Sequence, residues 1–245
     1  MISELSMLND AIERKDNAYI CCDCMEVMRA MPDKCVDVAI VDPVYGGGVT
    51  QGGYMKEQGG KRVGNGLADR RLYNQAIWEQ KKTPKEYFDE LFRVSKNQVI
   101  WGGNYFIESI AKDSQGWIVW DKRRNEGVTF ADGELAWTSF NRALRIFRFK
   151  WDGMLQENMK DKEQRIHPTQ KPVALYEWIL KNYAHEGDLI FDTHVGSASS
   201  LIACERLGFN FIGCEMDEEY YKISSDRFKA ETAQMTLFNM GGISI

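Results

Sequence analysis

Val38-Ala39-Ile40-Val41 is a continuous apolar run that ends in Asp42-Pro43-Val44-Tyr45-Gly46. Such a run reads as a buried strand. Pro43 has no N–H and turns the chain there. The turn gathers a carboxylate, the backbone carbonyl of Pro43 and the ring of Tyr45. Two acceptors beside an aromatic face can take both N–H bonds of an exocyclic amine and stack on its ring. Taken alone, four residues also fit a plain strand-end turn with an exposed acid.

A second constellation lies about 125 residues downstream. His167-Pro168-Thr169-Gln170-Lys171-Pro172 leads into an amphipathic helix expected over 173–183. A strand over 188–192 follows, ending in Asp192. Then come the turn Thr193-His194-Val195-Gly196-Ser197-Ala198-Ser199, a helix through Leu207, and a second strand that ends on Glu215, 19 residues after Gly196. A Gly turn at a helix N-terminus, with an acid about 20 residues later, is how α/β folds hold a nucleoside ribose. The full G-x-G-x-x-G pattern is absent, which argues against a dinucleotide. A glycine needed only for close packing is the plainer alternative. In both constellations the acid stands at the carboxyl end of a strand, where open α/β sheets bind ligands.

These groups need a scaffold. The first fifteen residues read as an amphipathic helix, followed by a strand over 18–21, a short helix over 25–31 and the strand ending at Asp42. Residues 46–75 carry nine glycines between Gly46 and Gly66. So long a loop inside a compact domain is usually functional or mobile. Thr83 suits a helix N-cap, Pro84 the first helical position and Glu86 a capping box. Strands are expected over 98–101, 117–121, 134–139 and 144–149, the last two pairing as a hairpin. Residues 151–166 look irregular, and a helix is expected over 218–232.

With 245 residues, 44% of them hydrophobic, the chain can form one sizeable core. Its net charge of −5 is no whole-chain nucleic-acid footprint, so DNA contacts would need local basic patches. Candidates are Lys61-Arg62, Arg70-Arg71, Lys81-Lys82 and Lys122-Arg123-Arg124, although an isolated pair is ordinary solvated surface. No apolar run approaches membrane-spanning length and the N-terminus is not signal-like, so a cytoplasmic protein with reduced thiols is expected. Cys21-Cys22-Asp23-Cys24 lacks the second knuckle of a structural zinc site, and His167, His185 and His194 are dispersed; no metal is expected.

Together the two constellations resemble the amino-group DNA methyltransferases, which use S-adenosylmethionine to methylate adenine N6 or cytosine N4. Asp42-Pro43-Val44-Tyr45 stands at the family's D-P-P-Y, and Phe191 through Ala198 at its F-D-P-x-x-G-x-G. Asn97 through Phe106 and Trp117 through Lys122 are also similar to family segments. The resemblance covers roughly residues 17–50, 96–150 and 164–228. Its order is that of the subgroup in which the tetrad precedes the cofactor motif, and it is closest to short phage and prophage forms. Val44 and Ala198 depart from the pattern, replacing a proline and a glycine without removing a polar group.

The resemblance implies a Rossmann-like α/β methyltransferase fold with a mostly parallel seven-stranded sheet and a terminal antiparallel hairpin. It implies a single domain over 1–245, with a mobile loop over 46–82 and a small target-recognition insertion over 140–165. Asp42 and the Pro43 carbonyl would each accept an N–H of a flipped-out base, and Tyr45 would stack on it; flipping costs a few kcal/mol. Asp192, Thr193, Gly196 and Ser197 would lie at the methionine end of the cofactor, and Glu215 would take the ribose hydroxyls. Asp23 would meet the cofactor adenine or cap the short helix. Lys171 would fold over the methionine end or sit on the surface ahead of its helix. His167 and Thr169 would contact that cofactor end or DNA phosphates. Trp101, Tyr105 and Phe106 read as core, and Asn104 resists that reading.

Double-stranded DNA is the implied partner, in the setting of restriction–modification, and a second copy of the chain is left open. Asp rather than Ser at position 42 favours adenine over cytosine N4. The other rivals are a fold that binds without turnover and an RNA or protein amine methyltransferase. Carbon-5 cytosine chemistry is set aside because no Pro-Cys dipeptide exists.

Overall fold

The structure, a computed structural model, describes residues 4–46, 82–124, 131–152 and 155–240. In chain order its elements are α1 (Leu8–Arg14), β1 (Ala18–Cys21), α2 (Cys24–Ala30), β2 (Val36–Val41), α3 (Lys85–Val94), β3 (Ser95–Trp101), α4 (Ile107–Ile110), β4 (Ile118–Asp121), β5 (Gly133–Thr138) and β6 (Arg145–Arg148). They continue with β7 (Trp151–Asp152), β8 (Leu155–Gln156), α5 (Val173–Tyr183), β9 (Leu189–Asp192), α6 (Ser199–Leu207), β10 (Asn210–Glu215) and α7 (Glu218–Met240).

Eight strands form one sheet in the order β1-β10-β9-β2-β3-β5-β4-β6, while β7 and β8 pair separately. The first five run parallel, and β5 is antiparallel to both β3 and β4. The sheet is thus mostly parallel, with eight strands where seven were expected. The expected pairing of the last two large strands fails. The hairpin is β4–β5, and β6 passes to the far side of β4, which it meets in parallel. Adjacency in sequence suggested the wrong partner because the free edge of β5 is already taken by β3.

Helices cover both faces, and the strands show it residue by residue. Val38 and Ile40 of β2 pack in the cluster with α5, α6 and Phe228 of α7. Ala39 and Val41 pack in the cluster with α1, α2 and α3. Side chains alternate across a strand, so a strand covered on both faces reads as a continuous apolar run.

The start of α3 also differs from expectation. Pro84 is the N-cap and makes no side-chain capping bond. The Thr83 hydroxyl and N–H instead donate to the Val44 carbonyl, at 3.1 and 3.0 Å. A tertiary bond has taken the group that a local cap would use. It also ties Thr83 to the turn that carries Tyr45. The expectation of a mobile loop over 46–82 falls almost wholly outside the described residues.

Candidate active site

Five parallel neighbours put their carboxyl ends on one rim of the sheet. In spatial order the rim carries Asp23 just after β1, Glu215 ending β10, Asp192 ending β9, Asp42 just after β2, and Gly102 just after β3. The register supports this, with Cys21 beside Glu215 and Gly213 beside Asp192. Both constellations therefore meet at one ligand-binding rim.

On the β2 side, the Tyr45 hydroxyl donates to Asp42 Oδ1 at 2.5 Å, and Lys171 Nζ pairs with Asp42 Oδ2. The Tyr45 ring stacks on Tyr105 at 5.0 Å and meets Phe106 edge-on. Gly102 makes room for it: at φ +66°, a Cβ here would lie 2.1 Å from the Tyr45 ring. Only glycine fits such a contact in a left-handed conformation. Trp101 and Phe106 are core as expected, but Tyr105 is 41% exposed and belongs to the site rather than the core. Asn104 is exposed.

Lys171 is not a surface residue. Its side chain is 3% exposed, and it also reaches Glu134 Oε2 at 3.2 Å. Burial opposes its charge, yet the two carboxylates raise its pKa. Burial would likewise raise that of Glu134, but Lys171 and Lys122 hold its carboxyl at about 2. Lys122 donates to Glu134 Oε1 at 2.5 Å. A buried cluster of this kind is tolerable only while every charge keeps a partner; stripping one partner costs about 3–5 kcal/mol.

On the β9–β10 side, Glu215 Oε2 accepts the Gly196 N–H at 2.9 Å and Oε1 that of Asp217 at 3.0 Å. Each carboxylate oxygen has two lone pairs, so each retains one for a hydroxyl donor. Asp192 accepts from the His194 N–H at 3.0 Å and from the Ser200 hydroxyl, and burial pushes its pKa up to about 7. The Thr193 hydroxyl is engaged by Tyr87 at 2.5 Å and His194 at 2.8 Å. Ser197 bonds Ser199 at 3.1 Å. Side-chain contact with a ligand is therefore less available to Thr193 and Ser197 than to the two acids. The His167 ring packs against Gly196 and Tyr220, and burial lowers its pKa to about 4. Thr169 bonds its Nδ1 at 3.1 Å. Asp23 caps α2 by accepting the Met25 N–H at 2.8 Å, while still lying on the rim.

S-adenosylmethionine fits this donor set. The rim groups are acceptors, and the molecule offers ribose hydroxyls, an adenine amine and an ammonium. Among the described residues no His/Cys/Asp/Glu cluster is arranged for a metal, and no helix is long and apolar enough to cross a membrane.

Sequence reasoning missed Glu134, and it missed the Glu163–Arg227 pair at 2.8 Å. Glu163 Oε1 accepts the Val173 N–H that opens α5, and Arg227 donates to the Ser197 carbonyl at 2.7 Å. A charged residue at the start of an otherwise apolar strand was the available signal for Glu134. Of the basic run, Lys122 turns inward to Glu134 and Arg123 pairs with Glu157 at 2.9 Å.

A DNA methylase family model, that of the N6/N4 methyltransferases, matches residues 117–226. Over that stretch, a little under half of the chain, the sequence is similar to this amino-group methyltransferase family. It is 42% identical over 81 residues to the type II methyltransferase M2.DpnII of Streptococcus pneumoniae, covering 33% of this chain and 30% of that protein. It is 24% identical over 253 aligned positions to the type II methyltransferase M.HpaI of Haemophilus parainfluenzae, covering 88% and 75%. Among solved structures, M1.HpyAVI in complex with SAM superposes with a TM-score of 0.51 at 23% identity, covering 85% of this chain and 98% of that one. The cytosine-N4-specific PvuII DNA methyltransferase superposes at 0.54 and 12% identity, covering 89% and 92%. At such identities the likeness establishes the methyltransferase fold.

Proposed function

We propose that this protein transfers a methyl group from S-adenosylmethionine to an exocyclic amino nitrogen of a base in DNA, and that the acceptor is adenine N6. The observation that carries this is the adjacency of β2 and β9, which sets the amine-accepting Asp42-Pro43 turn beside the Asp192–Glu215 rim. Glu215 holds the ribose, Asp192 faces the cationic methionine end, and the Gly196 turn lets the backbone approach closely.

S-adenosylmethionine, when bound, supplies a methyl whose bond to sulfur breaks with the pair staying on sulfur, while the amine lone pair forms the N–C bond and one amine proton passes to Asp42. Exocyclic amines are poor nucleophiles because their lone pair is delocalised into the ring. Asp42 and the Pro43 carbonyl, by accepting the two N–H bonds, favour a pyramidal nitrogen whose lone pair faces the methyl. Such catalysis needs positioning and electrostatics and no protein nucleophile. Tyr45 and the exposed Tyr105 supply the stacking face for a flipped base.

Asp at position 42 favours adenine. The DNA methylase family model over residues 117–226 supports DNA as substrate. Arg142, Arg145 and Arg148, exposed around β6, offer a local basic strip for phosphates despite the net negative charge. The PvuII likeness keeps cytosine N4 as the second reading. Expression in a methylation-free host, with modified bases mapped by long-read sequencing, tests both. Methyladenine at a fixed motif supports the reading, methylcytosine redirects it to N4, and unmodified DNA overturns it.

A further inference from the structure

We propose that Glu134 is a positioning residue that takes over the Lys171 ammonium when the target amine binds Asp42. The inference rests on the proposed methyl-transfer reading. Both oxygens of Asp42 are occupied by the protein's own donors, Tyr45 on Oδ1 and Lys171 on Oδ2. Each oxygen keeps one lone pair for a further N–H, but Lys171 neutralises the carboxylate that must polarise the amine, so the chemistry gains when that donor leaves. Tyr45 can swing with its ring to stack on the base. Lys171 cannot withdraw to water, because it is buried and lies over Trp101 at 5.4 Å from the ring centroid. An uncompensated buried ammonium would be strongly destabilising.

Glu134 removes that obstacle. Its Oε2 already stands 3.2 Å from Lys171 Nζ. Its Oε1 is fixed by Lys122, which itself lies over Trp120. Lys171 can therefore change anions without its ammonium being left unpaired. The exchange also serves the chemistry. The amine nitrogen becomes positive as it attacks, and a carboxylate relieved of Lys171 stabilises that charge better than one neutralised by it. The charged or titratable groups around this exchange are Asp42, Glu134, Lys122, Tyr45 and Tyr176, with His167 and Asp192 farther along the rim.

The test is kinetic, with tritiated cofactor at saturation on unmethylated duplex DNA. Glu134→Gln is expected to lower kcat about tenfold or more. Its calorimetric affinity for S-adenosylmethionine should stay within about twofold, and Glu134→Asp should recover part of the rate. In a Lys171→Met background the same Glu134→Gln change should alter kcat by less than about twofold, since the residues act as one unit. A purely structural role would lower cofactor affinity, melting temperature and kcat in both backgrounds alike, and that outcome overturns the proposal. So does Glu134→Gln with wild-type kcat. If Glu134→Gln does not fold, Lys171→Arg decides: its planar fork can bridge both carboxylates at once and hold Asp42, so kcat should fall about tenfold, and an unaffected rate overturns the idea. A wild-type protein that methylates no duplex overturns the parent reading and this one together, whereas an active wild type with an indifferent Glu134→Gln overturns this one alone.

Discussion

Lys171 reaches across 129 residues of sequence to set its ammonium on the carboxylate of Asp42. The contact joins the segment preceding α5 to the turn following β2, and it occupies the acceptor that the proposed reaction assigns to the target amine. Both oxygens of Asp42 thus already have donors within the fold, and the proposed binding of a base is an exchange of partners.

Asp42→Ala should abolish methyl transfer, lowering kcat by roughly two orders of magnitude or more. Cofactor affinity should survive nearly unchanged, because the proposed reading sets Asp42 at the base and Glu215 at the ribose. The fold should tolerate the change, since Lys171 keeps Glu134 at 3.2 Å. Single-turnover assays paired with titration calorimetry measure both quantities. Near-wild-type turnover would remove Asp42 from the chemistry.

Gly102→Ala should damage base binding through Tyr45. The new methyl would sit 2.1 Å from the ring at φ +66°, so the ring or the backbone must move. Left-handed strain alone costs about 1–2 kcal/mol. The expected result is a raised KM for DNA and a lowered melting temperature, with cofactor affinity kept. An unchanged KM for DNA would show that Tyr45 is not held where the base stacks.

Much of this site could be read from the chain because acids at the ends of apolar runs have a positional meaning. Asp42, Asp192 and Glu215 stand where a buried parallel strand must stop, and α5 has the bounds its apolar spacing dictates. What was illegible depends on partners distant in sequence. Nothing near Thr83 says that its hydroxyl will serve Val44 rather than cap α3. Nothing near β6 says that β4, and not β5, will receive it. Glu134 and Lys171 each look like solvated charges until the fold buries them together. Local pattern reports periodicity and turns, whereas a buried ion cluster is a property of the assembled sheet.

The departure at Ala198 should be close to neutral. Ala198 adopts φ +60° at the N-cap of α6, where the family pattern has glycine. Ala198→Gly would relieve about 1–2 kcal/mol of left-handed strain. It would forfeit about 0.8 kcal/mol for a fully buried methyl and give back about 0.5–1 kcal/mol of unfolded-state entropy. The two sides nearly cancel, so chemical denaturation should show a change below about 1 kcal/mol. A gain above about 2 kcal/mol would mean that the turn is strained in a way these terms do not describe.

Asp192 should make cofactor binding pH-dependent. Burial raises its pKa from 3.8 to about 7, with Asp42 and Glu215 adding to the rise against the Ser200 and His194 hydrogen bonds. In the free protein the folded state therefore binds more protons than the unfolded state between those two values, and stability should fall as pH climbs through that window. A cationic cofactor end beside Asp192 favours the carboxylate and lowers its pKa in the complex. Binding then expels a proton below pH 7, and affinity should rise with pH up to about 7, by at most about tenfold per unit, and then level off. His167 and His194, each lowered by burial to about 4, stay neutral across that range and cannot supply the effect. Calorimetry in two buffers of different ionisation enthalpy, at about pH 6 and about pH 8, should show proton release only at the lower pH. Asp192→Asn should erase both the release and the pH slope. A slope that persists in Asp192→Asn would assign the titration to another rim acid, Glu215 first, whose pKa burial also raises.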